Sequence, residues 1–150
     1  MKKTILIILC GVMVLGLTGC GKSKNELDIG SKSNIKISQN DVTMTIKEGT
    51  LTNKSATLVL TNNSDKNFEY GTPYEIEVKK DGEWHKINVE LNFDMPAFPL
   101  SSEESKEIEL DWENGYGKLA EGTYRIIKVI NYEYNGGKYE PFNVAVEFTI

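Results

Sequence analysis

From residue 42 onward the chain alternates. VTMTIK (42–47) sets Val42, Met44 and Ile46 against Thr43, Thr45 and Lys47. ATLVLTN (56–62) keeps Ala56, Leu58 and Leu60 in phase, and YEIEVKK (74–80) sets Tyr74, Ile76 and Val78 against Glu75, Glu77 and Lys79. KEIELDW (106–112) and NVAVEFTI (143–150) repeat the pattern. A period of two over four to eight residues marks a half-buried strand, with Glu75, Glu77, Glu107 and Glu109 on solvent faces. Asp81-Gly82 predicts a two-residue hairpin between YEIEVKK and WHKINVE, and Asn62-Asn63-Ser64-Asp65 and Gly136-Gly137 mark two further turns. No stretch carries a helical period. About seven strands, no helix and no cysteine pair predict an all-β chain folded as an antiparallel sandwich without a disulfide. The least regular strand is TYRIIKVINYEY (123–134), where Lys128 interrupts a face shared by Tyr124, Ile126, Ile130, Tyr132 and Tyr134. Either a bulge shifts the register there, or both faces of a central strand are partly covered.

The first twenty residues follow other rules. Lys2 and Lys3 precede an apolar run from Thr4 to Leu17, which ends on small residues and Cys20. A membrane-spanning helix needs roughly 20 apolar residues, so this run reads as an export signal. Leu17-Thr18-Gly19-Cys20 resembles the lipobox of bacterial lipoproteins. The resemblance implies cleavage before Cys20, acylation of its thiol, and a membrane-anchored protein on the extracytoplasmic face. Two acyl chains hold a protein stably where one holds it marginally. Cys10 lies in the leader, so Cys20 is the single cysteine of the chain beyond it. Neither a disulfide nor a cysteine metal cluster is then available.

Removing the leader takes Lys2 and Lys3 from 17 basic residues and leaves 22 acidic ones, a formal −7. Such a domain repels phosphate backbones, which argues against nucleic-acid binding. GKSKNELDIGSKSN (21–34) is polar and aperiodic and reads as a flexible linker. The expected organisation is a signal peptide (1–19), a lipidated cysteine with its tether (20–35) and one domain (36–150).

YGKLAEGTYRIIK (116–128) places Leu119, Gly122 and Tyr124 at the entry to a strand. It resembles the tyrosine corner of immunoglobulin-like sandwiches, whose tyrosine hydroxyl bonds back to upstream backbone. Together with YEIEVKKDGEW (74–84), the chain from about residue 36 to 150 resembles bacterial immunoglobulin-like domains of exported proteins. There are departures: the inter-sheet disulfide of antibody domains is absent, and Trp84 follows the Asp-Gly hairpin. The resemblance implies an adhesive, spacer or ligand-presenting role without catalysis or a cofactor.

Candidate chemistry is sparse. His85 is the lone histidine and reads as an outward-facing strand residue, and no nucleophile elbow or phosphate loop occurs. SSEESKE (101–107) lacks the ordered oxygen ligands of a calcium loop. Two aromatic stretches remain. NFDMPAFPL (92–100), too irregular for a strand, sets Phe93, Met95, Phe98 and Leu100 among two prolines, either as a binding loop at a sandwich end or as a plug in which Phe93 and Phe98 close an open end of the core. NYEYNGGKYEPF (131–142) sets Tyr132, Tyr134 and Tyr139 around a Gly-Gly tip. Tyrosine gives contact area at low entropic cost, which makes these three the candidate partner-binding residues, with packing of the last hairpin as the other reading. The expected function is a lipid-anchored, non-catalytic interaction module. Its partners would be membrane lipid through Cys20 and an envelope protein or glycan, and the alternative is a small-ligand-binding or envelope-sensing accessory domain.

Overall fold

The computed structural model describes residues 27–134 and 138–150, with side chains outside 132–139. The described chain runs through strands β1 (Ile29–Lys32), β2 (Val42–Ile46), β3 (Ser55–Asn62), β4 (Phe68–Gly71), β5 (Glu75–Lys80) and β6 (Glu83–Ile87). It continues through β7 (Ala97–Leu100), β8 (Ser105–Asp111), a one-turn helix α1 (Glu113–Tyr116), β9 (Thr123–Tyr134), β10 (Lys138–Tyr139) and β11 (Phe142–Thr149). Strands β2, β3 and β8 form one antiparallel sheet, and the others form a larger one. Alternate residues from both, such as Leu58, Leu60, Ile76, Ile126, Trp112 and Val144, meet in a single apolar core. The antiparallel sandwich expected from the alternation is the observed fold. α1 escapes prediction because four residues are too few to carry a period.

The larger sheet is organised around β9. Tyr124 pairs with Phe148 of β11 and with Val78 of β5, so these strands flank opposite edges of β9. Ile130 pairs with Phe142 of β11 and Tyr70 of β4, which puts β4 and β5 on the same edge, one above the other. β6 pairs outside β5, β7 pairs outside β4, and β1 pairs outside β6. Chain segments β4–β5 and β6–β7 are thus two long strands, each interrupted once. With β2, β3, β8, β9 and β11 they make the expected seven, to which the short strands β1 and β10 are added. The Asp81-Gly82 hairpin forms as expected, with φ of 52° and 81°.

Between Tyr70 and Glu75 the chain takes five steps while its partners on β9, Ile130 and Ile127, are three steps apart. Two residues must bulge out, and Pro73 has no N–H to pair in any case. The carbonyls freed there are taken by Lys128, whose Nζ donates to those of Gly71 (2.8 Å), Pro73 (3.0 Å) and Thr72 (3.4 Å). Lys128 therefore belongs on the inner face, where it is 1% exposed, and β9 keeps its register with β11 from Thr123 to Ile130. Of the two readings of this strand, the central one with both faces covered holds. Ile127, on the outer face, is also buried.

Two expectations are overturned near the N-terminus. Ile29–Lys32, inside the stretch read as a flexible linker, is the edge strand β1. Beyond it the chain straps across the outer face of the large sheet. Ser33 N–H donates to the Trp84 carbonyl (2.8 Å) on β6, and Ser38 N–H donates to the Asn143 carbonyl (2.8 Å) on β11. Ser33, Ile35 and Ile37 alternate as half-buried residues with exposed Asn34 and Lys36 between them. The strap explains the second correction. Glu77, expected on a solvent face, is 0% exposed. The phase of β5 was right, but the face it points to is covered.

The corner before β9 matches its resemblance. Tyr124 Oη donates to the Ala120 carbonyl at 3.0 Å. A Cβ on Gly122 would stand 3.3 Å from the Tyr124 ring, so the glycine lets the ring lie over the backbone.

Candidate functional site

The outer face of the large sheet carries a buried ion pair. Arg125 Nε and Nη2 both donate to Glu77 Oε2, at 2.8 and 2.6 Å, which leaves Oε1 buried without a partner. The Arg125 guanidinium lies over the Trp84 ring at 4.6 Å, and Lys79 Nζ approaches the same ring at 5.1 Å. Ser33 Oγ of the strap accepts a longer contact from Arg125 Nη2, at 3.4 Å. Trp84 is therefore on the outer face. His85, opposite Val78, shares the inner face and is half-buried, which corrects its outward assignment. Its Nδ1 lies 3.3 Å from the Gly30 carbonyl.

Burial pushes the Lys128 ammonium down to about 8. It also pushes the Tyr116 hydroxyl up to about 12, while that oxygen accepts the Ile76 N–H at 2.9 Å. Both groups hold backbone in place. Glu77 and Lys128 are fully enclosed, so neither can meet a substrate. Among the described residues no group of three or more His, Cys, Asp or Glu could hold a metal ion.

A cleft of about 360 Å³ opens between the residue 88–93 segment, the start of β5 and α1. Its walls are Tyr74, Phe93, Tyr116 and Leu91, with Glu75, Lys86 and Asn88 at the rim. Tyr74 meets Phe93 edge-on at 5.3 Å and Tyr116 at 6.2 Å. Sequence reading placed Tyr74 on a core face and left Tyr116 unassigned. Nothing in the alternation shows that the loop after β6 folds back to wall them in.

NFDMPAFPL divides. Phe93 is half-buried against Tyr74, as a plug should be, but Ala97–Leu100 forms strand β7 and Leu100 enters the core. Met95 is 82% exposed and Phe98 40%, the latter with its ring 5.6 Å from that of Tyr70. The plug reading fails for Phe98 because, among the described residues, β7 is an edge strand of its sheet.

Of the candidates chosen from sequence, Cys20 lies outside the described residues. The backbone of β9 pairs Tyr132 with Phe68 of β4, and Lys138 and Tyr139 of β10 with Tyr134 and Glu133. The hairpin carrying Tyr132, Tyr134 and Tyr139 therefore extends past the end of β11, and their side chains are outside the described set.

Comparison with curated proteins finds no match to this chain. Residues 38–149 match the model of a family described as the bacterial Ig-like domain.

Proposed function

Because the chain belongs to the bacterial Ig-like domain family, we propose that it is a lipid-anchored, non-catalytic interaction module of the cell envelope. Export and acylation at Cys20 hold the domain at the outer face of the cell membrane. There it offers Tyr132, Tyr134 and Tyr139 to an envelope protein or glycan. The family match over residues 38–149 carries the non-catalytic part. The anchoring part rests on the order of charges, apolar run, small residues and cysteine in residues 2–20. Leu27 already packs against the core, so at most seven steps of chain lie between Cys20 and the domain, a reach of about 24 Å at full extension. A partner must therefore come close to the membrane.

Metabolic labelling with a fatty acid tests the anchor: the label is expected on the native chain and absent from Cys20→Ser. A label that persists in the mutant refutes it. Crosslinking to envelope extracts, with Tyr132→Ser, Tyr134→Ser and Tyr139→Ser combined in a folded control, tests the binding site. A partner captured equally by both samples would remove the tyrosines from the reading. The aromatic cleft beside Tyr74 favours a second reading, a small-ligand-binding or envelope-sensing accessory domain. Line broadening of Tyr74 and Phe93 resonances by envelope small molecules would support it.

A further inference from the structure

We propose that the sheet edge formed by β1 and β7 lies against the lipid bilayer, with Met95 and Phe98 entering its interfacial region. The inference rests on the Cys20 anchor proposed above and adds to it the orientation of the domain.

Both strands lie on the same side of β9, away from β11, because β5 and β4 share one edge of β9 and carry β6 with β1, and β7, outside them. The two interrupted strands are tied at their breaks by the Thr72 hydroxyl, which donates to the Asp94 carbonyl. The chain enters the fold on this edge: Ile29 pairs with Ile87, and the Asp28 carbonyl accepts the Asn88 N–H at 2.8 Å. A lipid seven residues before Leu27 thus draws this edge, and not the β11 edge, toward the membrane.

The same edge holds the exposed apolar side chains. Of the four large hydrophobic residues most exposed among those described, Met95, Phe98 and Ile29 (38%) lie here, and Val129 is the exception. Isolated exposed apolar residues mean little, but their gathering on one edge marks a contact surface. Pro96 and Pro99 are of the residue type with which edge strands refuse further pairing. The contact is accordingly made by side chains and not by an added strand, which suits a fluid apolar phase. Glu90 and Asp94 flank the apolar residues and are exposed, so the segment sits at headgroup depth and favours zwitterionic over strongly anionic lipid. A short tether keeps the local lipid concentration high, so a small apolar contact suffices. In this orientation the β9–β10 hairpin stands off the membrane, on the far side of β9.

The chain from Cys20 onward retains the whole described core and contains two methionines: Met95, exposed, and Met44, 3% exposed. Its single thiol can be coupled to a maleimide phospholipid in phosphatidylcholine vesicles, or capped with a soluble maleimide. Both samples then receive peroxymonosulfate, a charged oxidant that does not cross membranes, and each methionine sulfoxide is followed by mass spectrometry. Met95 is expected to oxidise several-fold more slowly on vesicles than in the capped sample, with Met44 slow in both. Phe98→Glu should return Met95 on vesicles to the capped rate. Equal Met95 rates in coupled and capped protein overturn the proposal. Because the anchor is chemical, that result stands apart from the Cys20→Ser labelling, which judges lipidation in the cell.

Discussion

Lys128 ties the integrity of the interrupted β4–β5 strand to pH. Its ammonium is 1% exposed and binds three carbonyls, yet the cost of desolvating the charge outweighs them and lowers its pKa from 10.5 to about 8. Between those values the unfolded chain holds a proton that the folded chain has released. Stability therefore rises with pH through this window. A shift of this size makes the folded state about 2.5 kcal/mol more stable at pH 10 than at pH 7, from this residue alone. Above pH 10 the raised tyrosines oppose it. The folded state keeps the Tyr116 proton up to about 12, so stability falls as the unfolded tyrosines ionise. The measurement belongs between pH 7 and pH 10, by urea titration followed through tryptophan fluorescence. Lys128→Met removes the titration and at pH 7 has two opposed effects. It relieves the buried charge, and it leaves the carbonyls of Gly71, Thr72 and Pro73 to water, at about 1 kcal/mol each. The midpoint at neutral pH should move little. The difference between the two proteins should grow by about 2–3 kcal/mol in favour of the native chain toward pH 10. Parallel pH profiles for native and Lys128→Met protein would refute the assignment of the gain to this ammonium.

The buried Glu77–Arg125 pair predicts strong non-additivity. Removing one partner, as Glu77→Leu or Arg125→Met, should cost about 3–5 kcal/mol, while the double substitution should cost far less, read as a double-mutant cycle in urea. Additive losses would mean that the pair is not coupled. Tyr124→Phe keeps the ring and removes the bond to the Ala120 carbonyl, so a loss of about 1 kcal/mol is expected from the denaturation midpoint, with no change in the fold by circular dichroism.

The features legible in the sequence were those with a short period or a fixed local geometry. The alternation of β2, β3, β5, β8 and β11, the Asp81-Gly82 hairpin and the tyrosine corner each depend on residues a few positions apart, so single-chain pattern reading reaches them. What it missed depends on what lies above a face or beyond an edge. Glu77 has the phase of a solvent residue, and only the strap crossing from Trp84 to Asn143 makes its position an interior one. Lys128 breaks an apolar face in sequence, but the break answers a defect in another strand 55 to 57 residues away, where Pro73 interrupts the ladder. Ile29–Lys32 reads as linker because four polar-flanked residues carry no pattern of their own and acquire a strand's geometry only from β6. Glu77 and Ile29–Lys32 share a cause: the larger sheet is extended at both its edge and its outer face by chain that precedes the alternating region. The segment from Leu27 onward is therefore part of the domain, and the described chain enters it through β1. Under the anchoring proposed for Cys20, an edge, and not an end, of the sandwich would be the side that meets the membrane.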